Sequence, residues 1–252
     1  MEWTDEAIVL TARRHGEGAA IVTLLTRERG RHAGLVPGGA GKRARGLYEA
    51  GNKVIVTWRA RLEEHLGHFA CELTAANAAP LLDDPLRLAA LAAAAAVAES
   101  ALPEREPHPR AYAGLLELIE GLTAPGRPTL DWAAAYARWE LDLLAELGFG
   151  LDLSECAATG GNDRLVYVSP KSGRAVSAAA GEPYRDRLLP LPAFLKSGGR
   201  GAVTRADVAT ALELTGHFLK ERALLPRGLT LPEARARLAE LMRRPAPAAR
   251  LP

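Results

Sequence analysis

Few residues in this chain could do chemistry, and their spacing narrows what that chemistry can be. His65, His68 and Cys71 recur at three-residue intervals and are the nearest approach to a metal-ligand set. They fall on a strand-like run, where that interval sends successive side chains to opposite faces, so a single ion cannot collect them. Cys156-Ala-Ala-Thr159 and Ser177-Ala-Ala-Ala180 have the spacing of two Cys-x-x-Cys pairs, with three of the four thiols gone. Ser154 beside Cys156, and His217 within a helical pattern, have no visible partner for nucleophilic catalysis. No Gly-x-Gly-x-x-Gly element follows a strand. The expectation is a protein that is not an enzyme and holds neither metal nor cofactor.

What remains is electrostatic. Gly34-Leu-Val-Pro-Gly-Gly-Ala-Gly-Lys-Arg-Ala-Arg-Gly46 joins two strand-like runs and carries Lys42, Arg43 and Arg45 with no acid between them. Glycines let backbone approach a ligand, and clustered cations attract a polyanion. A nucleotide-phosphate loop would need glycine at 36 and a hydroxyl at 43; Val36 and Arg43 stand there. The stretch therefore reads as a flexible cationic hook, with a mobile surface loop that is basic by chance as the alternative.

Charge along the chain is segregated. Residues 1–62 hold 11 Lys/Arg against 6 Asp/Glu, residues 63–150 hold 5 against 14, and residues 151–252 hold 16 against 10. Two basic ends around an acidic middle imply separate surfaces for separate partners. The two cysteines, Cys71 and Cys156, suit neither a disulfide framework nor a metal quartet, so a reducing cytoplasm is expected. The apolar run Leu88 to Ala98 is too short to span a bilayer, and the acidic start Met1 to Glu6 does not read as a secretory signal.

The elements that must position these cations begin with five short runs. They are Ala7–Arg13, Ala20–Thr26, Arg31–Val36, Lys53–Arg59 and Gly67–Leu73, each bounded by Gly-bearing turns. Such spacing predicts a small closed barrel. The longest connection lies between the third and fourth runs, as in the five-stranded OB-fold. OB barrels take nucleic acid on strands two and three and on the loops joining strands 1–2 and 4–5. Here those places hold Arg13 and Arg14, Arg29 and Arg31, and Arg59 and Arg61; with Lys42, Arg43 and Arg45 these are the expected nucleic-acid contacts. Trp58 alternates with valines and reads as core. Tyr48 fits either core or a base-stacking platform.

From Asp83 the pattern turns helical. Asp84-Pro85 predicts an N-cap with proline at the first helical position, opening a helix to about Ala101. Further helices are expected over about 110–122 and 130–147, the latter with Trp132, Tyr136, Trp139 and Leu143 as a buried stripe. Seven acids, Glu99, Glu117, Glu120, Asp131, Glu140, Asp142 and Glu146, are expected on the outside. A Gly-rich segment follows, with a hairpin of Val166–Ser169 and Arg174–Ser177. Two helices close the chain, one started by Thr204 to Asp207, the other by a capping box over Thr230 to Glu233. The domain reading is a barrel over 1–79, helices over 80–150 and 190–244, an insert over 151–189, and a disordered tail over 245–252. The class is α+β.

With barrel, insert and helices in order, the chain closely resembles the bacterial recombination mediators of the RecO family. The stretches that carry the likeness are Asp5–Leu10, His15–Val22, Leu24–Thr26, Gly30, Gly34–Gly39, Trp58–Leu62, Leu147–Leu151 and Val168–Ser177. The resemblance implies a non-enzymatic protein of recombinational DNA repair, cytoplasmic and associated with the nucleoid. It implies binding to single- and double-stranded DNA, annealing of complementary strands, and partnership with RecR. It also implies contact with the single-strand-binding protein, and help to RecA in loading onto coated DNA. Some members carry a four-cysteine zinc ribbon where this chain has Cys156, Thr159, Ser177 and Ala180; the insert is thus expected to be a zinc-ribbon-like hairpin without its metal. Arg200, Arg205 and Lys220 are candidates to receive the acidic tail of the single-strand-binding protein. The competing reading is a helical protein-interaction scaffold with only non-specific affinity for DNA.

Overall fold

In the computed structural model, which describes residues 1–196, 199 and 202–245, each of the five alternating runs becomes a strand. These are β1 (Glu2–His15), β2 (Ala19–Thr26), β3 (Gly30–Val36), β4 (Lys53–Arg59) and β5 (His68–Ala75). They close into a barrel of order β1-β2-β3-β5-β4, which is the strand order of an OB-fold. All pairs are antiparallel except β3 with β5, which meet in parallel at Leu35 and His68. β1 is long because it serves two neighbours. Its first half pairs with β4 from Glu2 to Ile8 and its second with β2 from Ala7 to His15, through a bulge between Val9 and Thr11. Val9, Val22, Leu24, Val54, Val56 and Trp58 fill the interior. Tyr48 is buried among them, which makes it core and removes it as a stacking platform.

The basic stretch is not a loop throughout. Lys42–Leu47 is a short helix, α1. Ala44, Leu47 and Tyr48 pack on the barrel core, and their i, i+3, i+4 spacing puts them on one helical face. The carbonyl end is held by Asn52, whose Nδ2 donates to Gly46 O at 2.8 Å and Leu47 O at 3.1 Å. Groups left over at a helix C-terminus need such partners, and Asn52 is itself 1 % exposed.

Beyond the barrel come α2 (Pro85–Ala101), α3 (Pro109–Thr123) and α4 (Thr129–Glu146). Asp84 caps α2 as expected, accepting from the backbone N–H groups of Leu86 and Arg87. Trp132, Tyr136, Trp139 and Leu143 are buried. α6 (Arg205–Phe218) opens on the Thr204–Asp207 capping box, then widens into a π-helical turn over Leu219–Leu224. α7 (Glu233–Arg243) begins after Pro232 with no side-chain cap. The expected Thr230–Glu233 box fails because Glu233 is the first helical residue, two positions too early to reach back from N3. Among the described residues no helix is long and apolar enough to cross a membrane.

One of the seven acids is inside. Glu140 is fully buried and faces Arg235 of α7, which donates from Nε at 2.5 Å and from Nη2 at 2.8 Å. Thr215 of α6 adds a 2.5 Å hydrogen bond from its hydroxyl. Glu140 lies four residues after Tyr136, so its position on the inward stripe is helical arithmetic. A carboxylate can occupy it only because a partner's charge answers it.

Between α4 and α6 lies a three-stranded sheet of order β7-β6-β8, from β6 (Leu165–Val168), β7 (Ala175–Ser177) and β8 (Leu189–Pro190), with a one-turn helix, α5 (Ala178–Gly181). The β6–β7 hairpin is the expected one, turning at Gly173 with φ +75°; β8 was not expected. The segment has no core of its own. Cys156, Leu165, Val168 and Ala175 join the apolar cluster of the helices. That cluster also continues into the barrel wall through Ile8, Leu10 and Leu25.

Candidate nucleic-acid interface

The expected cations fall into distinct situations, set by what each element packs against. Arg14 is exposed near the end of β1, with no carboxylate partner among the described residues. The turn that follows it is bonded to the segment that leads into α1, for Ala40 N–H donates to Gly18 O at 3.2 Å. Lys42 and Arg45 on α1 are likewise exposed and without a carboxylate partner among the described residues. The backbone thus brings Arg14 and α1 to one end of the barrel. The side chain of Arg43 lies outside the described residues.

Other candidates are engaged by the protein itself. Arg13 donates to Glu99 of α2 at 3.2 Å, although as an exposed pair this is worth only about 0–1 kcal/mol. Arg31 is turned onto the end of α2, where Nε donates to Leu102 O at 2.9 Å; burial lowers its pKa despite nearby Glu104 and Glu99. With Ile8, Leu10 and Leu25 also covered by the helices, part of the barrel face assigned to a ligand is closed. Arg59 pairs with Glu2 at 2.9 Å, and its hydrogen bond holds the Glu2 carboxyl below the usual range. Arg61 stands exposed in the bend after β4, and Arg29 is exposed in the β2–β3 turn, its guanidinium carbon 5.9 Å from the ring centre of Trp3.

Sequence reasoning missed Trp3, His32, Asn52 and Glu99. Trp3 precedes the run taken as the first strand. Glu99 acts through partners dozens of residues away, and Asn52 joins the nearby end of α1 to a distant segment, accepting from Ala78 N–H at 3.1 Å. His32 carries no signal as a lone histidine in a strand, but it is 4 % exposed and neither ring nitrogen has a partner. Burial, with Arg105 and Arg29 nearby, pushes its pKa down to about 4.

The remaining candidates do not assemble a reaction centre. Ser154 donates to Asp152 at 2.6 Å, and that carboxylate is in turn paired with Arg174 at 3.2 Å. No group of three or more His, Cys, Asp or Glu that could hold a metal occurs among the described residues. Cys156 is buried, with Ser177 N–H donating to its sulfur at 3.3 Å and Ser177 Oγ 3.6 Å away. Burial raises that thiol's pKa, but hydrogen bonds from Thr159, Ser177 and Ala158 outweigh it and bring the value down to about 6. Two of the three residues expected in place of zinc-ribbon thiols thus gather round the sulfur. The likeness to a zinc ribbon goes no further than those positions. Arg200 lies outside the described residues, as does the tail beyond 245 with Arg250. Lys220 pairs with Glu221 at 3.2 Å. Arg205 donates to Arg244 O and Leu241 O and lines a groove with Arg237, Arg244, Leu86 and Leu241.

The chain matches the model for the recombination protein O N-terminal domain over residues 1–76 and that for its C-terminal domain over residues 82–229. It is 55 % identical over 246 residues to a DNA repair protein RecO from Rhodospirillum centenum, covering 97 % of this chain and 96 % of that one. It is 51 % identical to the protein of the same name from Rhodospirillum rubrum, over 97 % of both chains. The counterpart from Methylobacterium nodulans is 53 % identical, over 93 % of this chain and 95 % of its own length. A barrel and helices matched in order along nearly the whole length place the chain in the recombination protein O family of DNA repair proteins.

Proposed function

We propose that the chain is a non-enzymatic mediator of recombinational repair that grips DNA through its barrel and anneals complementary strands. The observation that carries this reading is the pairing of Arg14 with the exposed cations of α1, brought together by the Ala40–Gly18 hydrogen bond. Cations without internal partners can replace the counterions of phosphates, giving affinity that does not depend on sequence. Neutralising two strands at one surface lowers their mutual repulsion, which is what annealing requires. In this reading single- and double-stranded DNA are both ligands, RecR is the working partner, and RecA gains access to strands coated by the single-strand-binding protein.

The groove of Arg205, Arg237 and Arg244 supports the proposed contact with that coating protein. Three cations around Leu86 and Leu241, with Asp84 also in the lining and Arg244 paired with Glu240 at 3.4 Å, suit an acidic peptide that also carries an apolar residue. The acidic α2–α4 segment favours protein over DNA as its neighbour. Annealing of complementary oligonucleotides, with and without single-strand-binding protein, tests the reading. The expected result is faster duplex formation with strands left intact in the presence of divalent metal. Consumption of the strands would identify a nuclease instead, and no gel shift at low salt would favour a protein-only scaffold.

A further inference from the structure

Between the barrel and the α2–α3 connector is a cavity of about 270 Å³ that the phosphate-gripping cations do not explain. Its lining comes from four separate pieces of chain. The N-terminus gives Met1 to Trp3, the β2–β3 turn gives Glu28 and Arg29, the bend after β4 gives Glu63, and the α2–α3 connector gives Arg105 and Pro107. The connector is pressed hard against the turn. Gly30 has φ +69°, and a Cβ there would sit 1.9 Å from the carbonyl oxygen of Glu106. Arg105 fastens the other wall, donating to the carbonyls of Glu63 and His65. The cavity is therefore a built feature whose walls are held by the backbone of both the barrel and the helices.

The floor is aromatic. Trp3 stacks on Trp58 at 5.6 Å and 20°, and His32 stands edge-on to both at 5.1 and 5.3 Å. Trp58 is spent on the core, its Nε1 donating to Leu66 O at 2.9 Å. Trp3 is only partly buried, so it has ring surface to offer. His32 lines the same cavity with two unanswered nitrogens. Buried polar atoms without partners are rare and costly. A planar ring with donors and acceptors along its edge would answer them, and an aromatic face beside a guanidinium is a usual platform for such rings. Arg29 has no carboxylate partner among the described residues and can meet a flanking phosphate. Glu28 and Glu63 in the lining can accept from exocyclic amino groups, whereas Glu2 there is held by Arg59. The space equals that of about nine waters at roughly 30 Å³ each, the scale of one ring system and not of a duplex.

We propose that this cavity captures a single unpaired nucleobase of a bound DNA strand, stacked on Trp3, edge-bonded to His32 and flanked by Arg29. The inference rests on the DNA-binding reading above and gives the barrel a means to prefer unpaired bases, which phosphate contacts alone cannot.

The test compares two oligonucleotides with equal numbers of phosphates, one intact and one built wholly of abasic units, by fluorescence titration of the full chain. The intact strand is expected to bind roughly 5- to 150-fold more tightly, the range of one stacked base, and to quench tryptophan emission. Trp3→Leu should erase that preference while Trp3→Phe keeps most of it. His32→Phe, which keeps the aromatic packing but loses the polar edge, should reduce it. Arg29→Ala alters an exposed side chain and keeps the test decisive even if a Trp3 variant misfolds; it should weaken the intact strand more than the abasic one, because a base seated on Trp3 is what brings its own phosphate to Arg29. Equal binding of both strands overturns the base pocket and leaves the phosphate grip standing. A preference unchanged in all of the variants places base contact elsewhere and also overturns it. Failure of both strands to bind removes the DNA reading and the pocket together.

Discussion

At the scale of single residues, two buried ionisable groups make opposite demands. Glu140 accepts from Arg235 and Thr215, and it joins α4, α6 and α7 at one point. Burial lowers the Arg235 pKa, but Glu140 reverses this and raises it overall, so the guanidinium stays charged. Glu140→Ala leaves an uncompensated buried guanidinium and is expected to cost about 3–5 kcal/mol in urea unfolding. Replacing the pair together by Leu and Met should cost much less, because no lone charge remains. An equal loss in single and double variants would contradict that account. His32 is the reverse case, a group kept neutral. Its cavity neighbours are the cations Arg29 and Arg105 and the carboxylates Glu2, Glu28 and Glu63. Its folded pKa of about 4 lies below the ordinary 6.5. Between those values the unfolded chain binds a proton that the native state does not, so acid favours unfolding. The contribution is complete above pH 6.5 and is lost as pH falls toward 4, by up to about 1.4 kcal/mol per pH unit. His32→Phe should flatten the urea midpoint against pH in that window, whereas parallel curves for variant and parent would refute the assignment.

At the scale of elements, α1 decides whether the cations act as a group. Lys42 and Arg45 point outward because Ala44, Leu47 and Tyr48 hold the other face on the barrel, and because Asn52 binds the helix's last carbonyls. Replacing Arg14, Lys42 and Arg45 by Ala should weaken DNA binding. It should also lower the slope of log affinity against log salt by roughly 0.7–0.9 for each lost phosphate contact. Arg31→Ala should change that slope little while lowering stability, since its guanidinium is occupied by Leu102 O. Equal slope changes in the two variants would mean that α1 has no special place in the interface. The same helix marks how far sequence reading carries. All five strands, the Asp84 cap and the Thr204–Asp207 box were legible, since each depends on neighbours within a few residues. α1 was hidden among glycines at 38, 39, 41 and 46, although its apolar spacing was present. The occupied states of Arg13, Arg31 and Arg59 were not legible, because their partners lie 86, 71 and 57 positions away. Glu140 was misplaced for the same reason: its spacing pointed inward, but the partner that permits burial sits 95 residues on.

At the scale of the whole molecule, barrel and helices share more than a linker. Ile8, Leu10 and Leu25 project from the outside of the barrel yet belong to the apolar cluster of the helices, each no more than 1 % exposed. Thr11 and Arg13 both donate to Glu99 of α2, Arg31 to Leu102 O, and Gly30 lies against the connector. A barrel cut free at residue 79 would present those three side chains to water. At about 1.5–3 kcal/mol for each large apolar side chain left exposed, the loss is of the order of a small domain's entire stability. The fragment 1–79 is therefore expected to self-associate or to melt well below the full chain, although its internal core is complete. Changing Ile8, Leu10 and Leu25 to Thr in the fragment should restore a monomer in size-exclusion chromatography, because it removes the sticky face without touching the interior. The same three changes in the full chain should destabilise it, because there the face is packed on α2. A wild-type fragment that runs as a stable monomer, with an unfolding midpoint equal to that of the full chain, would show the barrel to be independent of the helices. Coupling of this kind also bears on function, since the wall that α2 covers cannot take a strand while the contact holds. On the reading proposed above, a strand would meet the edge formed by the β1–β2 turn and α1 and the cavity beside Trp3.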